Sequence, residues 1–168
     1  MKRIALAAII ALLSNMGFAA PPSQNLVMSC LMAQPSTHSV TIRSLNTHEV
    51  EEEDGYADGF NASYMFKYRG FDFGYAESKE GQALIYMGKL YRLSKAIPLG
   101  ENHGIKPGAF NPTLAQWSIA KEGAQQYFCV SFNFDGLGRS GSFQNVHGGY
   151  FINTLTKDMY FVVRDVRR

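Results

Sequence analysis

Residues 126–134 read QYFCVSFNF. Phe128, Val130, Phe132 and Phe134 fall on one side of an extended chain, and Tyr127, Cys129, Ser131 and Asn133 on the other. Period-two alternation with large apolar side chains predicts a β-strand whose phenylalanine face enters the core. Further strands follow at 149–155 and 159–166, with Thr156-Lys157 between them. Upstream, 114–120 fits strand or helix by pattern, and the turn-like Lys121-Glu122-Gly123-Ala124 favours strand.

The same period recurs earlier. Tyr64, Phe66 and Tyr68 alternate with Ser63, Met65 and Lys67. After Arg69-Gly70 the aromatics move to odd positions, Phe71, Phe73 and Tyr75, so Gly70 marks a tight turn or a bulge. Ser78–Gly81 reads as another turn. Residues 83–87 and 90–93 flank Gly88-Lys89 and predict a hairpin with a Gly-X type II′ turn. Residues 39–45 alternate, Val40 and Ile42 against Thr41 and Arg43, while 23–33 suits a short helix or a first strand. Many short strands with glycine turns predict an all-β domain with at most one short helix, built as an antiparallel sandwich or small barrel.

The N-terminus has a different grammar. Lys2 and Arg3 precede the apolar run 4–13, and Gly17-Phe18-Ala19 offers small residues before a cleavage point. The run is shorter than a membrane span, so residues 1–19 read as a secretory signal cleaved after Ala19, with Ala20 as the alternative. Residues 20–168 then form a single exported domain, periplasmic or secreted, with no later apolar stretch long enough for a transmembrane helix. Taking Lys2 and Arg3 from the 16 basic residues leaves fourteen against 14 acidic ones. A formally neutral domain without a basic stripe argues against nucleic acid as a partner.

The chain holds 2 cysteines, Cys30 and Cys129. In an oxidising compartment an even pair reads as a disulfide. The rivals are a free Cys129 nucleophile served by His103 or His147, and a lipidated Cys30, which the intervening PPSQN disfavours.

Three segments stand out as candidate contact surfaces. The acidic stretch 49–58 carries Glu51, Glu52, Glu53, Asp54 and Asp58. It fails as an EF-hand, because Tyr56 and Met65 stand where ligands are needed, and reads as a solvated loop or a face for a basic partner. Residues 98–112 form the longest irregular stretch, with Asn102 and His103 near its middle. Residues 135–141 hold Asp135, Arg139 and Ser140 among glycines. Gly136–Gly141 matches G-x-G-x-x-G, but SFQNVHGGYFI after it reads as strand, where a dinucleotide site needs a helix. Ser140 nearly forms a nucleophile elbow, yet Ser142 replaces the last glycine and no acid lies between it and His147. The four histidines show no metal-ligand spacing, so neither a metal nor a cofactor is expected.

One local likeness crosses two of these segments. ALIYMGKLYRLSKA at 83–96, with WSIAKEGA at 117–124, resembles the core of the small periplasmic C-type lysozyme inhibitors over about a quarter of the chain. The resemblance implies an inhibitory loop near 98–112, and GENHGIKPG departs there from that family's serine- and glycine-rich loop. The residues together read as an exported binding protein more than as an enzyme: an inhibitor or immunity protein against an envelope-acting enzyme, using loops on a β scaffold. The alternatives are an exported hydrolase and a small outer-membrane barrel or envelope assembly protein.

Overall fold

The alternating aromatics become a cross-strand ladder. Strands β3 (Ala62–Tyr68) and β4 (Phe71–Ser78) pair antiparallel, setting Tyr64 opposite Tyr75, Phe66 opposite Phe73 and Tyr68 opposite Phe71. The one-residue phase change is therefore a two-residue turn and not a bulge. Arg69 (φ 50°) and Gly70 (φ 81°) fill it. The computed structural model describes residues 20–48, 50–52, 59–133 and 146–165, with 50–52 described by backbone alone. The expected signal, residues 1–19, lies outside them.

Strands β2 (Val50–Glu52), β3, β4, β5 (Gly81–Tyr86) and β6 (Lys89–Arg92) form a five-stranded sheet in sequence order. The β5–β6 turn corrects the expected type II′ geometry. Tyr86 pairs with Lys89, so the loop is Met87-Gly88, and both take positive φ (51° and 72°), as in a type I′ turn. Glycine fits the second position freely, while Met87 accepts a left-handed backbone there.

The six-stranded sheet has the order β1-β8-β9-β10-β11-β7. Its strands are β1 (Val40–Ser44), β7 (Ile97–Pro98), β8 (Gln116–Glu122), β9 (Gln125–Asn133), β10 (Val146–Asn153) and β11 (Met159–Asp165). All pairings are antiparallel except the short parallel pair β7–β11. The sheets are open and face each other, so of the two architectures expected the sandwich is observed and the closed barrel is not. Among the described residues no helix is long and apolar enough to cross a membrane.

Between the sheets lies an aromatic core. Phe128, fully buried, stacks on Tyr86 at 4.6 Å and meets Phe73 at 5.8 Å and Trp117 at 5.9 Å. The opposite face of β9 is buried as well, although Tyr127, Cys129 and Ser131 read there as a mixed surface. The cause is helix α1 (Gln24–Met32), which lays Leu26, Val27, Cys30 and Leu31 over Tyr127, Cys129, Phe151 and Val162. The segment left open between helix and strand is therefore the helix. It starts where Ser23 caps the Leu26 N–H at 3.1 Å and ends at Ala33 in the left-handed conformation.

Two latches hold α1 to the sheet. Cys30 is disulfide-bonded to Cys129, with 5.6 Å between the Cα atoms. This removes both the free-thiol nucleophile and the lipidated cysteine. Glu122, at the end of β8, accepts hydrogen bonds from Ser23 Oγ and from Ser39 Oγ (2.9 Å), and these hold its carboxyl below the usual range.

The outer face of the five-stranded sheet carries a smaller cluster of Phe60, Met65, Ala76, Ala83 and Ile85. Gly74 sits among its strands with no room for a side chain. A Cβ there would lie 1.9 Å from the Tyr64 carbonyl oxygen.

Candidate functional site

The two ends of the sandwich differ. At one end the strands close through the two-residue turns Arg69-Gly70, Met87-Gly88 and Gly123-Ala124 and the short connection 154–158. At the other end, beside the two-residue turn Lys79-Glu80, lie three much longer connections: 53–61 between β2 and β3, 99–115 between β7 and β8, and 134–145 between β9 and β10. These hold most of the three segments that the sequence marks as contact surfaces, Glu51 and Glu52 falling in β2. Loops of this length on a rigid scaffold are where binding residues concentrate.

The connection 99–115 is fully described, and it is anchored along its length. It first extends the sheet edge: Leu99 donates its N–H to the Phe161 carbonyl (2.9 Å), and Asn102 Oδ1 accepts the Val163 N–H (2.8 Å). Asn102 is 7% exposed. This differs from its expected place on a contact surface, because it supplies the acceptor that the β11 edge lacks. His103 and Gly104 follow at positive φ (50° and 74°), closed by the Ile105 N–H on the Asn102 carbonyl (2.8 Å). His103 is exposed at this tip, as a contact residue must be.

Deeper in, the loop is pinned at Gly108 and Phe110. The Tyr150 hydroxyl accepts the Gly108 N–H at 2.8 Å and donates to the Gly108 carbonyl. Phe110 is buried, stacks on Phe132 at 5.6 Å, and gives its N–H to Gln82 Oε1 at 2.9 Å. Gln82 is held in turn by Glu77, its Nε2 donating at 2.6 Å. Sequence reading passes over Phe110. Its signal is a lone large aromatic inside a glycine- and proline-rich stretch, which marks an anchor more than a linker.

Phe110 also marks where the other two connections begin. Glu52, the last residue of β2, pairs with Tyr64, which stacks on Tyr75 at 4.8 Å, and Tyr75 meets Phe110 at 6.5 Å. On the other sheet, Phe132 precedes Asn133, from which the connection 134–145 departs. The acidic connection thus starts two rings away from Phe110, and the glycine-rich one starts beside its stacking partner. Of the expected contact residues, Glu53, Asp54, Asp58, Asp135, Arg139 and Ser140 lie outside the described residues, and Glu51 and Glu52 are placed by their backbone in β2.

β9 and β10 are antiparallel neighbours, so Gly136–Gly141 does not belong to a βαβ unit and lacks the setting of a dinucleotide site. Among the described residues no group of three or more His, Cys, Asp or Glu is placed to hold a metal ion.

Burial pushes the Tyr150 phenol up to about 12. The fold thus favours the neutral phenol. That contribution is fully present below about pH 10, where an unfolded tyrosine is also protonated, and is lost as pH rises toward about 12. A shift of this size corresponds to about 2–3 kcal/mol. Tyr86, Tyr91, Tyr127 and Tyr160 are also raised, chiefly by burial, and act in the same direction. We expect Tyr150→Phe to cost about 1–2 kcal/mol near neutral pH, by leaving both Gly108 groups without their partner. Urea melts from about pH 8 to about pH 11 should show a smaller alkaline loss in the variant than in the parent. Equal losses would remove Tyr150 from the alkaline transition.

Comparison of the chain with known protein families, with curated proteins and with solved structures finds no match, so the functional reading rests on this geometry alone.

Proposed function

We propose that the protein is an exported binding protein that docks on a protein partner in the cell envelope through the long connections at one end of its sandwich. It acts by occlusion, as an inhibitor or immunity protein against an envelope-acting enzyme. The observation that carries this reading is the asymmetry of the two ends: only short connections at one, and three long connections rooted around Phe110 at the other. The leader-like residues 1–19 support export, and the disulfide is compatible with an oxidising compartment. The acidic connection supplies a charged surface that steers a basic partner.

The test is affinity purification of the tagged full chain from its own cells, beside a variant carrying Glu51→Lys, Glu52→Lys and Glu53→Lys and a second variant, Arg69→Glu, in the turn at the opposite end. A stoichiometric protein lost from the triple variant and kept by Arg69→Glu is the expected result. A partner retained by both would move the interface off the acidic connection. A chain that captures no protein, or that is recovered without removal of residues 1–19, would overturn the proposal.

A further inference from the structure

The two sheet edges on one side of the sandwich are treated differently. The edge of β11 is covered by β7, then by the Leu99 N–H and the Asn102 side chain. Among the described residues the edge of β6 has no strand neighbour beyond β5. Because Tyr86 and Lys89 close the hairpin as a hydrogen-bonded pair, the alternation of an antiparallel ladder turns the main-chain groups of Leu90 and Arg92 away from β5, toward the open side. A bare edge of this kind is a template for another extended chain.

A groove runs beside that edge. After β6 the chain turns through the short 3-10 segment Leu93–Lys95 into β7, and the corner so formed faces the 154–158 turn across a cavity of about 460 Å³. Leu90, Tyr91, Ile97 and Met159 give it an apolar wall. Leu90 and Ile97 are 40% and 46% exposed, and Met87 and Leu155, in the adjoining turns, are also exposed. Four of the five large apolar residues exposed among those described thus sit on or next to one groove. Tyr91 also packs against the core between the sheets, and its hydroxyl is buried with no hydrogen-bond partner among the described residues.

Among the described residues the charge of the groove is one-sided. Arg92, Lys95 and Lys157 line it there against a single carboxylate, Asp158. Arg92 is held over the Phe60 ring at 4.8 Å, and Lys157 Nζ donates to the Thr154 carbonyl. The Asp158 carboxylate accepts from Thr156 Oγ1 at 2.8 Å.

We infer that this groove binds an extended acidic peptide segment of a partner protein, which adds as a strand to the free edge of β6. Its main chain pairs with Leu90 and Arg92. Its apolar side chains lie against Leu90, Ile97 and Met159, and its carboxylates meet Lys95 and Lys157. Strand addition takes affinity from main-chain hydrogen bonds and specificity from pockets for alternate side chains, and this corner offers both. The groove touches the connection 53–61 at Phe60, which lines it and carries Arg92; strand addition at β6 does not require that connection to dock a partner.

The experiment is selection of a displayed random nonapeptide library on the full chain, followed by titration of selected, labelled peptides. Two variants accompany it. Leu90→Pro removes an outward N–H that no ladder bond uses, a position where an edge strand accepts proline. Lys95→Glu with Lys157→Glu reverses the rim charge. The expected result is enrichment of peptides alternating acidic with apolar residues, whose binding falls about tenfold or more in each variant while the thermal midpoint of the charge variant stays near the parent's. Failure to select any peptide, enrichment without acidic residues, or binding indifferent to the charge reversal would each overturn the inference. Binding weakened by charge reversal but not by Leu90→Pro would also overturn it, because the groove would then take an anion without pairing a strand. Should Leu90→Pro not fold, peptides N-methylated at alternate amides replace it on the parent chain, and undiminished binding counts against strand addition.

Discussion

Replacing Cys30 and Cys129 together by serine is expected to cost roughly 4–5 kcal/mol, one of the two largest effects foreseen for small changes to this chain. The bond closes a loop with a sequence separation of 99 residues. In the chain-entropy account, a loop of that length restricts the unfolded ensemble strongly. The native side loses packing as well. Both cysteines are fully buried in the cluster that joins α1 to the sheet, and serine would place hydroxyls against Leu26, Tyr127 and Phe151. For a domain of about 150 residues, a midpoint roughly 10–15 °C lower should appear in a thermal melt. A double alanine variant separates the terms, because it removes the cross-link without burying a hydroxyl. If the alanine variant melts within a degree or two of the parent, the disulfide is ornamental to stability, and the helix is held by its apolar face and by Glu122.

Gly74→Ala should cost about 3 kcal/mol, more than most single methyl additions, because what stands in the way is backbone. The new Cβ would lie 1.9 Å from the Tyr64 carbonyl oxygen and 3.2 Å from the Met65 Cα. A side chain could swing aside. Here relief requires β3 and β4 to part at Met65–Gly74, in the middle of their ladder, with Phe66–Phe73 and Tyr64–Tyr75 on either side. The loss should read as a midpoint roughly 6–12 °C lower, with slower-moving backbone amides of β3 and β4 becoming exchangeable. Gly70→Ala is the comparison: nothing lies within 4 Å of a Cβ there, and its cost is the left-handed φ of 81° alone. A Gly74→Ala variant no less stable than Gly70→Ala would show that the strands yield at this point.

The class of the fold was legible because alternation reports a buried face directly. Phe128, Val130 and Phe132 all point into the core as their spacing requires, and the aromatic phase change at Gly70 becomes a hairpin. What spacing cannot report is burial of the second face. Tyr127, Cys129 and Ser131 read as a half-polar surface because the element that covers them, α1, lies about a hundred residues earlier, with only a short amphipathic pattern of its own. Gly74 is invisible for a related reason: a glycine in a strand says nothing of which neighbour approaches it. At the candidate site the long stretch 98–112 was visible as irregular, but irregular sequence does not separate a free loop from a pinned one. Asn102 turns inward to an orphan N–H on β11 while its neighbour His103 turns out. Adjacent residues in the same loop thus take opposite roles, and only the position of β11 decides which.

The placement of α1 also sets an order of events during synthesis. The helix is made before every strand described, yet most of the surface it docks on, built from β8, β9 and β10, is made much later. Strand β1 waits too, since its partner among the described residues is β8. For most of the time the chain is emerging, an apolar helix face and a reduced Cys30 stand unsheltered. Long-range pairings of this kind slow folding and leave sticky surface open to aggregation. Such a chain gains from assistance at two moments: a chaperone that holds α1 until β9 arrives, and an oxidant that reaches Cys30 only after Cys129 is in place. A nascent chain stopped before β9 should therefore be insoluble on its own, however stable the finished domain.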